Sequence, residues 1–143
     1  MKTVICDLDG TLFNIDHRLH FLEKKEWDKF FEACKDDTVN EWCLTLLNAL
    51  KDAGHEIAFV SGRNSIARAE TNRQLVELGF FPNTILLMRH EKDRRPDFEL
   101  KQEFLLNELK DKDILFAIDD RKQVVDMYRR NNVIVLQCDE GEF

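Results

Sequence analysis

Two carboxylates stand two residues apart in Asp7-Leu8-Asp9-Gly10-Thr11, directly after the apolar run Thr3–Cys6. At a strand end, residues two apart point to the same side, so Asp7 and Asp9 can face one site. A second acidic pair, Asp119-Asp120, follows the run Ile114–Ile118, and Ser61-Gly62-Arg63 follows Ile57–Val60. Lys101 lies one turn into a helix that Asp97 begins behind Pro96. Four carboxylates gathered in one place repel each other and stay ionised together only beside a cation. Oxygen ligands without His or Cys select a hard ion, magnesium first. Magnesium commonly bridges carboxylates to a phosphate, and the Ser61 hydroxyl, the Gly62 amide and the Lys101 ammonium are suited to phosphate oxygens. Taken singly, each of these groups is unremarkable as a helix cap or a surface charge. Together, in this order and each at a predicted strand end or helix start, they point to metal-assisted phosphate chemistry.

The elements that would position these residues alternate along the chain. Thr3–Cys6, Ile57–Val60, Thr84–Met88, Ile114–Ile118 and Val133–Gln137 are short runs rich in Val, Ile, Leu and Phe. Such runs fit parallel strands covered on both faces. Between them, Val39, Trp42, Cys43, Leu46, Leu47 and Leu50 form a helical stripe that Gly54 stops. Ser65–Leu78 ends similarly at Gly79. A third helix starts at Asp97, with Phe98, Leu105 and Leu109 on its apolar side, and Arg121–Asn131 carries Val124, Val125 and Tyr128. The expected fold is a doubly wound, Rossmann-like α/β domain over residues 1–143: five parallel strands with helices on both faces. Such sheets bind ligands at the carboxyl ends of their strands, where strand order reverses. Asn14–Thr38 breaks the alternation and is expected to be a short, cap-like helical insertion.

Bulk properties agree with one soluble domain of ordinary size. The chain has 143 residues, 43% hydrophobic and 34% charged, with eleven Phe and only two Pro. The net charge of −7 argues against broad non-specific binding to nucleic acid or anionic membrane. Cys6, Cys34, Cys43 and Cys138 form no CxxC pair or zinc spacing, which fits reduced thiols in a cytoplasmic protein. The N-terminus has no long apolar region, and no stretch approaches the length needed to span a membrane.

DLDGT, VSGR, Lys101 and AIDD, in that order, resemble the haloacid dehalogenase-like (HAD) superfamily of phosphohydrolases across essentially the whole chain. The resemblance implies that Asp7 attacks phosphorus and becomes an aspartyl-phosphate, while Asp9 serves as general acid and then general base. It implies phosphate binding by Thr11 and Ser61, and a Lys101 that steadies both nucleophile and phosphoryl group. It further implies magnesium held by Asp7, the Asp9 backbone carbonyl and one or both of Asp119 and Asp120. The physical logic agrees: a cation and Lys101 remove the repulsion between a carboxylate and a phosphate dianion. Splitting hydrolysis into two steps lets one acid serve twice. Members that cleave halide lack the second Asp, so Asp9 favours phosphate.

A closer resemblance, to the phosphatase half of phage polynucleotide kinase–phosphatases, lies in AIDDRKQVVDMYRRNNV and the GEF that follows. It extends to Arg18, Arg63 and the Asp97–Lys101 pair, which it implies bind substrate or assist catalysis. GxxxxGK[ST], the mark of a kinase half, does not occur in these residues. The expected substrate is a 3′-phosphorylated nucleic-acid end, with a free nucleotide as the alternative and a separate kinase or ligase as a possible partner. The short insertion predicts an open site, suited to a polymer. Arg63 to Lys101 holds eight Lys/Arg against six acids, a local positive excess. Trp27, Phe30 and Phe31 are either base-stacking groups or the buried face of a helix, and packing is favoured. His17 and His20 are assigned to packing or to the surface rather than to substrate. Two further readings fit less well. A phospho-receiver would place its acidic pair after the first strand, not the fourth; a non-catalytic partner protein would leave catalytic positions unfilled.

Overall fold

Thr3–Cys6 (β1) is buried at all four positions, as a strand covered on both faces must be. The computed structural model describes residues 1–142. After β1 come Phe13–Asn14 (β2), Leu19–Glu23 (α1), Trp27–Glu32 (α2), Thr38–Val39 (β3) and Glu41–Asp52 (α3). There follow Glu56–Asn64 (β4), Arg68–Glu77 (α4), Thr84–Arg89 (β5), Asp97–Leu106 (α5), Ile114–Arg121 (β6), Lys122–Arg130 (α6) and Val135–Gly141 (β7). Five strands form one parallel sheet in the order β5-β4-β1-β6-β7. The chain runs outward from β1 through β4 to β5, then returns to build β6 and β7 on the other side. β1 therefore stands at the reversal of strand order, where a ligand crevice opens.

Strand alternation divides the core in two. Val4 and Cys6 of β1 and Ile57 and Phe59 of β4 pack with Leu47 of α3 and Leu75 of α4. Ile5, Ala58 and Val60 point the other way, toward Leu105, Val124, Val125 and Tyr128 beneath α5 and α6. Phe59 meets Phe80 edge to face, with ring centroids 5.0 Å apart.

Several boundaries differ from the sequence-based expectation. β4 runs on to Asn64 and β6 to Arg121, so Ser61-Gly62-Arg63 and Asp119-Asp120 lie within strand ends rather than after them. The apolar run stops earlier than the hydrogen-bonded ladder does. The ladders shift register between Ser61 and Asn64 and between Asp119 and Arg121, bulges that re-aim the side chains there. β7 begins at Val135 and runs to Gly141, although the Ile134 carbonyl already accepts from the Ala117 amide at 2.8 Å. Val39 belongs to β3, paired with Phe13, instead of opening the α3 stripe, and Trp42 of that stripe is 48% exposed. A 3-10 turn, Ser65–Ala67, precedes α4.

The 14–38 insertion folds into α1, α2 and two 3-10 turns (Asp16–Arg18 and Ala33–Asp36), closed at its base by the β2–β3 pair. Its aromatics divide: Phe30 is buried, while Trp27 is 54% exposed. The four cysteines are free thiols. Among the described residues, no helix is long and apolar enough to cross a membrane.

Candidate active site

β1 ends with Cys6 beside Phe59 of β4 and Ile118 of β6, so the residues that follow these three gather at one rim of the sheet. The Asp7 amide donates to the Ile118 carbonyl at 3.0 Å, fixing the backbone where the strand stops. The Asp7 carboxylate is almost fully buried, and both of its oxygens are engaged. Lys101 Nζ donates to Oδ1 at 2.9 Å, and the Thr11 hydroxyl donates to Oδ2 at 3.2 Å. Lys101 also donates to Asp119 Oδ2 at 2.8 Å, so one buried ammonium spans two carboxylates. Oxygens of Asp7, Asp119 and Asp120 lie within 4.8 Å of one another.

One cation does not balance this cluster. Burial and then the Asp119 carboxylate push the Asp7 carboxyl well up, against the opposing pull of Lys101. Burial and Asp119 raise Asp120 as well. Burial works against a charged Lys101, yet Asp119 and Asp7 outweigh it and hold the ammonium protonated. The donor set is all oxygen and short of positive charge, which fits a hard divalent ion. Gly10 is required here for two reasons: its φ is +81°, and a Cβ would collide with the Asp120 carboxylate.

Asp9 stands apart from that cluster. Arg18 Nη2 and Arg63 Nε donate to its Oδ1 at 2.7 and 2.8 Å. Burial opposes the charged form of Asp9, but Arg63 and Arg18 outweigh it and keep the carboxyl below its usual range. Two carboxylates two residues apart thus sit in opposite surroundings, one beside other acids and one between two guanidiniums. Both arginines are buried. Arg18 also donates to the Phe30 carbonyl and stacks over the Phe30 ring; Arg63 also donates to Thr71 and Gln74 of α4. Their contacts are with Asp9 and the protein frame rather than with Asp7. Both arginines also bind Asp37, which sequence reasoning did not single out. In Lys35-Asp36-Asp37-Thr38 it reads as one of a solvated run of charges, and nothing local separates it from Asp36.

On the β4 side, the Ser61 hydroxyl oxygen accepts from the Arg63 amide at 3.0 Å. Gly62 packs against Asp97 so closely that a Cβ would stand 2.6 Å from Asp97 Oδ1. Asp97 binds Arg89 at 2.5 Å and Arg121 at 2.6 Å, and Arg89 Nε donates to the Gly62 carbonyl at 3.1 Å. Asp97 therefore braces the Gly62 bulge from outside. Much of the local excess of basic residues is paired with acids, which leaves Arg68, Lys92 and Arg94 as its exposed, acid-free part among the described residues. Arg73 pairs with Glu70 and Glu77, Arg95 with Asp93 and Glu103, and Arg89 with Asp97. His17 bonds Asp37 at 2.7 Å, and His20 lies against Phe21.

With this geometry in view, the family profile described as the polynucleotide kinase PNKP phosphatase domain matches residues 1–143. The chain belongs to that family of HAD phosphatases. It is a phosphatase. Among solved structures it is similar to a chain of a Pnkp1/Rnl/Hen1 complex, at 33% identity and a TM-score of 0.84, with 99% of this chain and 47% of the other covered. A chain of the Pnkp1/Rnl/Hen1 RNA repair complex gives 34% identity and a TM-score of 0.86, covering 99% and 43%. The chain thus spans less than half the length of these two relatives. A HAD family enzyme from Bacteroides thetaiotaomicron, solved with magnesium and inorganic phosphate, shares the fold at 17% identity and a TM-score of 0.62, covering 100% and 96%.

Proposed function

We propose that this phosphatase is a magnesium-dependent polynucleotide 3′-phosphatase that works through an aspartyl-phosphate on Asp7. The observation that carries the chemistry is the contrast between the two carboxylates: Asp7 faces Lys101 and the acid cluster, while Asp9 is held by Arg18 and Arg63. The substrate class rests on the family match across all 143 residues. A relative found in an RNA repair complex supports a nucleic-acid substrate and work beside partner proteins.

Magnesium bound by Asp7, Asp119 and Asp120, with the Asp9 carbonyl, would offset the negative charge of the carboxylates and of the incoming phosphate. The protein's own groups do the rest. The Asp7 carboxylate attacks phosphorus as the bond from phosphorus to the 3′ oxygen breaks, and Lys101 offsets the charge brought together. Ser61 and the Gly62 amide bind phosphate oxygens. A phosphate dianion beside Asp9 opposes the arginines and favours its protonated form, which gives its proton to the leaving oxygen. Asp9, now a carboxylate, takes a proton from a water that attacks the phosphorus. Asp7 is released and phosphate departs.

The test is a substrate panel. Turnover of a 3′-phosphorylated oligonucleotide is compared with turnover of 3′- and 5′-mononucleotides, with Asp7→Asn as the blank. The expected result is oligonucleotide turnover at least tenfold above the mononucleotides and none in Asp7→Asn. Mononucleotides faster by orders of magnitude would make the protein a nucleotidase. Undiminished activity in Asp7→Asn would remove the nucleophile assignment.

A further inference from the structure

Asp37 closes the 14–38 insertion, and its side chain is fully buried. Arg18 grips it with two parallel bonds, Nε to Oδ1 and Nη2 to Oδ2, both at 2.8 Å. Arg63 Nη2 donates to Oδ2 at 2.8 Å. Arg18 Nη2 donates to both Asp37 Oδ2 and Asp9 Oδ1, and Arg63 sets Nη2 on Asp37 and the neighbouring Nε on Asp9, so each guanidinium joins the two carboxylates. Asp37 itself makes no hydrogen bond to Asp9, and it is not among the carboxylates that converge on the cation cluster.

We propose that Asp37 is a positioning residue for the acid–base step: it holds the two arginines so that they take one oxygen of Asp9 and leave the other for proton transfer. The inference rests on the reading of Asp9 as general acid and base. A guanidinium is rigid and planar, so a bond that fixes one of its N–H groups fixes the direction of the others. Both guanidiniums are fixed at Asp37 and both converge on Asp9 Oδ1. Among the described residues nothing donates to Asp9 Oδ2, and the Asp9 side chain keeps 19% of its surface open. Two guanidiniums face two carboxylates, and the His17 ring bonds Asp37 Oδ1 from the surface at 2.7 Å. With Asp37 neutral, two cations would face Asp9 alone; the Phe30 carbonyl would still hold Arg18, and Thr71 and Gln74 would still hold Arg63, but no shared anchor would aim both at one oxygen.

The anchor is itself tied down. The Asp37 amide donates to the Cys34 carbonyl at 3.1 Å, and Gln74 of α4 donates to the same carbonyl at 2.7 Å while accepting from Arg63. On this account the insertion works less as a lid than as the frame that delivers Arg18 and Asp37 to the back of Asp9.

A leaving-group comparison separates this role from a merely structural one. The 3′ alkoxide of a sugar needs a proton to depart, whereas p-nitrophenolate does not. Single-turnover release, with enzyme in excess, reads only the first chemical step. Asp37→Asn is expected to slow the first turnover of a 3′-phosphorylated oligonucleotide by about 10²-fold, the scale of general acid catalysis, and that of p-nitrophenyl phosphate by less than about tenfold. Asp37→Glu keeps the charge but displaces the anchor by one methylene, and is expected to show the same selective loss in smaller measure. Equal losses on both substrates, no loss on either, or the unfolding of both variants by circular dichroism would overturn the proposal. Should the wild type ignore the oligonucleotide, the substrate reading falls by itself. The comparison is then made with whichever alkyl phosphate the wild type hydrolyses, and is read the same way.

Discussion

Replacing Lys101 with Met tests the electrostatic centre of the site directly. The ammonium sits 2.9 Å from Asp7 and 2.8 Å from Asp119, with almost no contact with water. At an effective dielectric of about 20, Coulomb's law gives each pair roughly 6 kcal/mol, before the cost of taking the charges out of water. Removing one partner of such a buried set costs about 3–5 kcal/mol, because the charges left behind have lost their compensation. At ~2–4 °C per kcal/mol for a domain near this size, the metal-free variant is expected to melt about 10 °C below wild type. A divalent cation restores positive charge beside the stranded carboxylates, so magnesium should raise the variant's melting temperature more than it raises that of wild type. The assay is a pair of calorimetric or circular dichroism melts, each with EDTA and with magnesium, alongside turnover. Activity is expected to fall by about 10²–10³-fold even with magnesium, since a cation at the cluster does not replace the charge on the α5 side. A melt in EDTA within about two degrees of wild type, or an equal response to magnesium, would refute the reasoning: the acids would then not depend on Lys101 for charge.

Two further outcomes follow from the same geometry. Asp7 and Asp120 are raised above the ordinary carboxylate range in the folded, metal-free protein, so the folded state binds protons more tightly than the unfolded one. This contribution to stability is complete below the unfolded value and is lost as pH rises through the folded values. Magnesium competes with those protons, and its stabilisation in thermal melts should be larger at pH 8 than at pH 5; the reverse order would exclude these carboxylates as its ligands. Gly62→Ala places a Cβ 2.6 Å from Asp97 Oδ1, so Asp97 must leave Arg89 and Arg121. A loss of about 1–3 kcal/mol in urea unfolding and a rise in KM are expected, and a variant unchanged in both would show that the brace is not needed.

The sheet was legible because its strands are fully buried: unbroken runs such as Val4-Ile5-Cys6 and Ala58-Phe59-Val60 leave little choice of element. The motifs at their ends were legible because strand order places them at one rim. Boundaries were not, where polar residues continue a ladder. Ser61-Gly62-Arg63 looks like a loop by composition, yet it remains hydrogen-bonded to β5 across a bulge. Trp42 followed the helical period but lies at the margin of its buried stripe. Arg18 and Arg63 were picked out by their nearness to the motifs, but what holds them was not visible. Asp37 meets Arg63 across 26 residues and Asp9 meets Arg63 across 54, contacts that only the folded chain creates. Similarly, the acids that pair with Arg73, Arg89 and Arg95 and reduce the basic excess after Arg63 were not visible in the sequence.

The aromatic division of the insertion has a practical side. The chain contains two tryptophans, Trp27 and Trp42, and both are about half exposed. Neither ring leaves a dry core when the protein unfolds, so the colour of the intrinsic emission changes little across the global transition. Trp27, however, lies 6.5 Å from the Phe31 ring on α2, next to the Phe30 whose carbonyl receives Arg18. With Trp42 replaced by Phe, the remaining emission and its quenching by iodide report on whether the insertion is seated, a local event that calorimetry of the whole domain does not resolve.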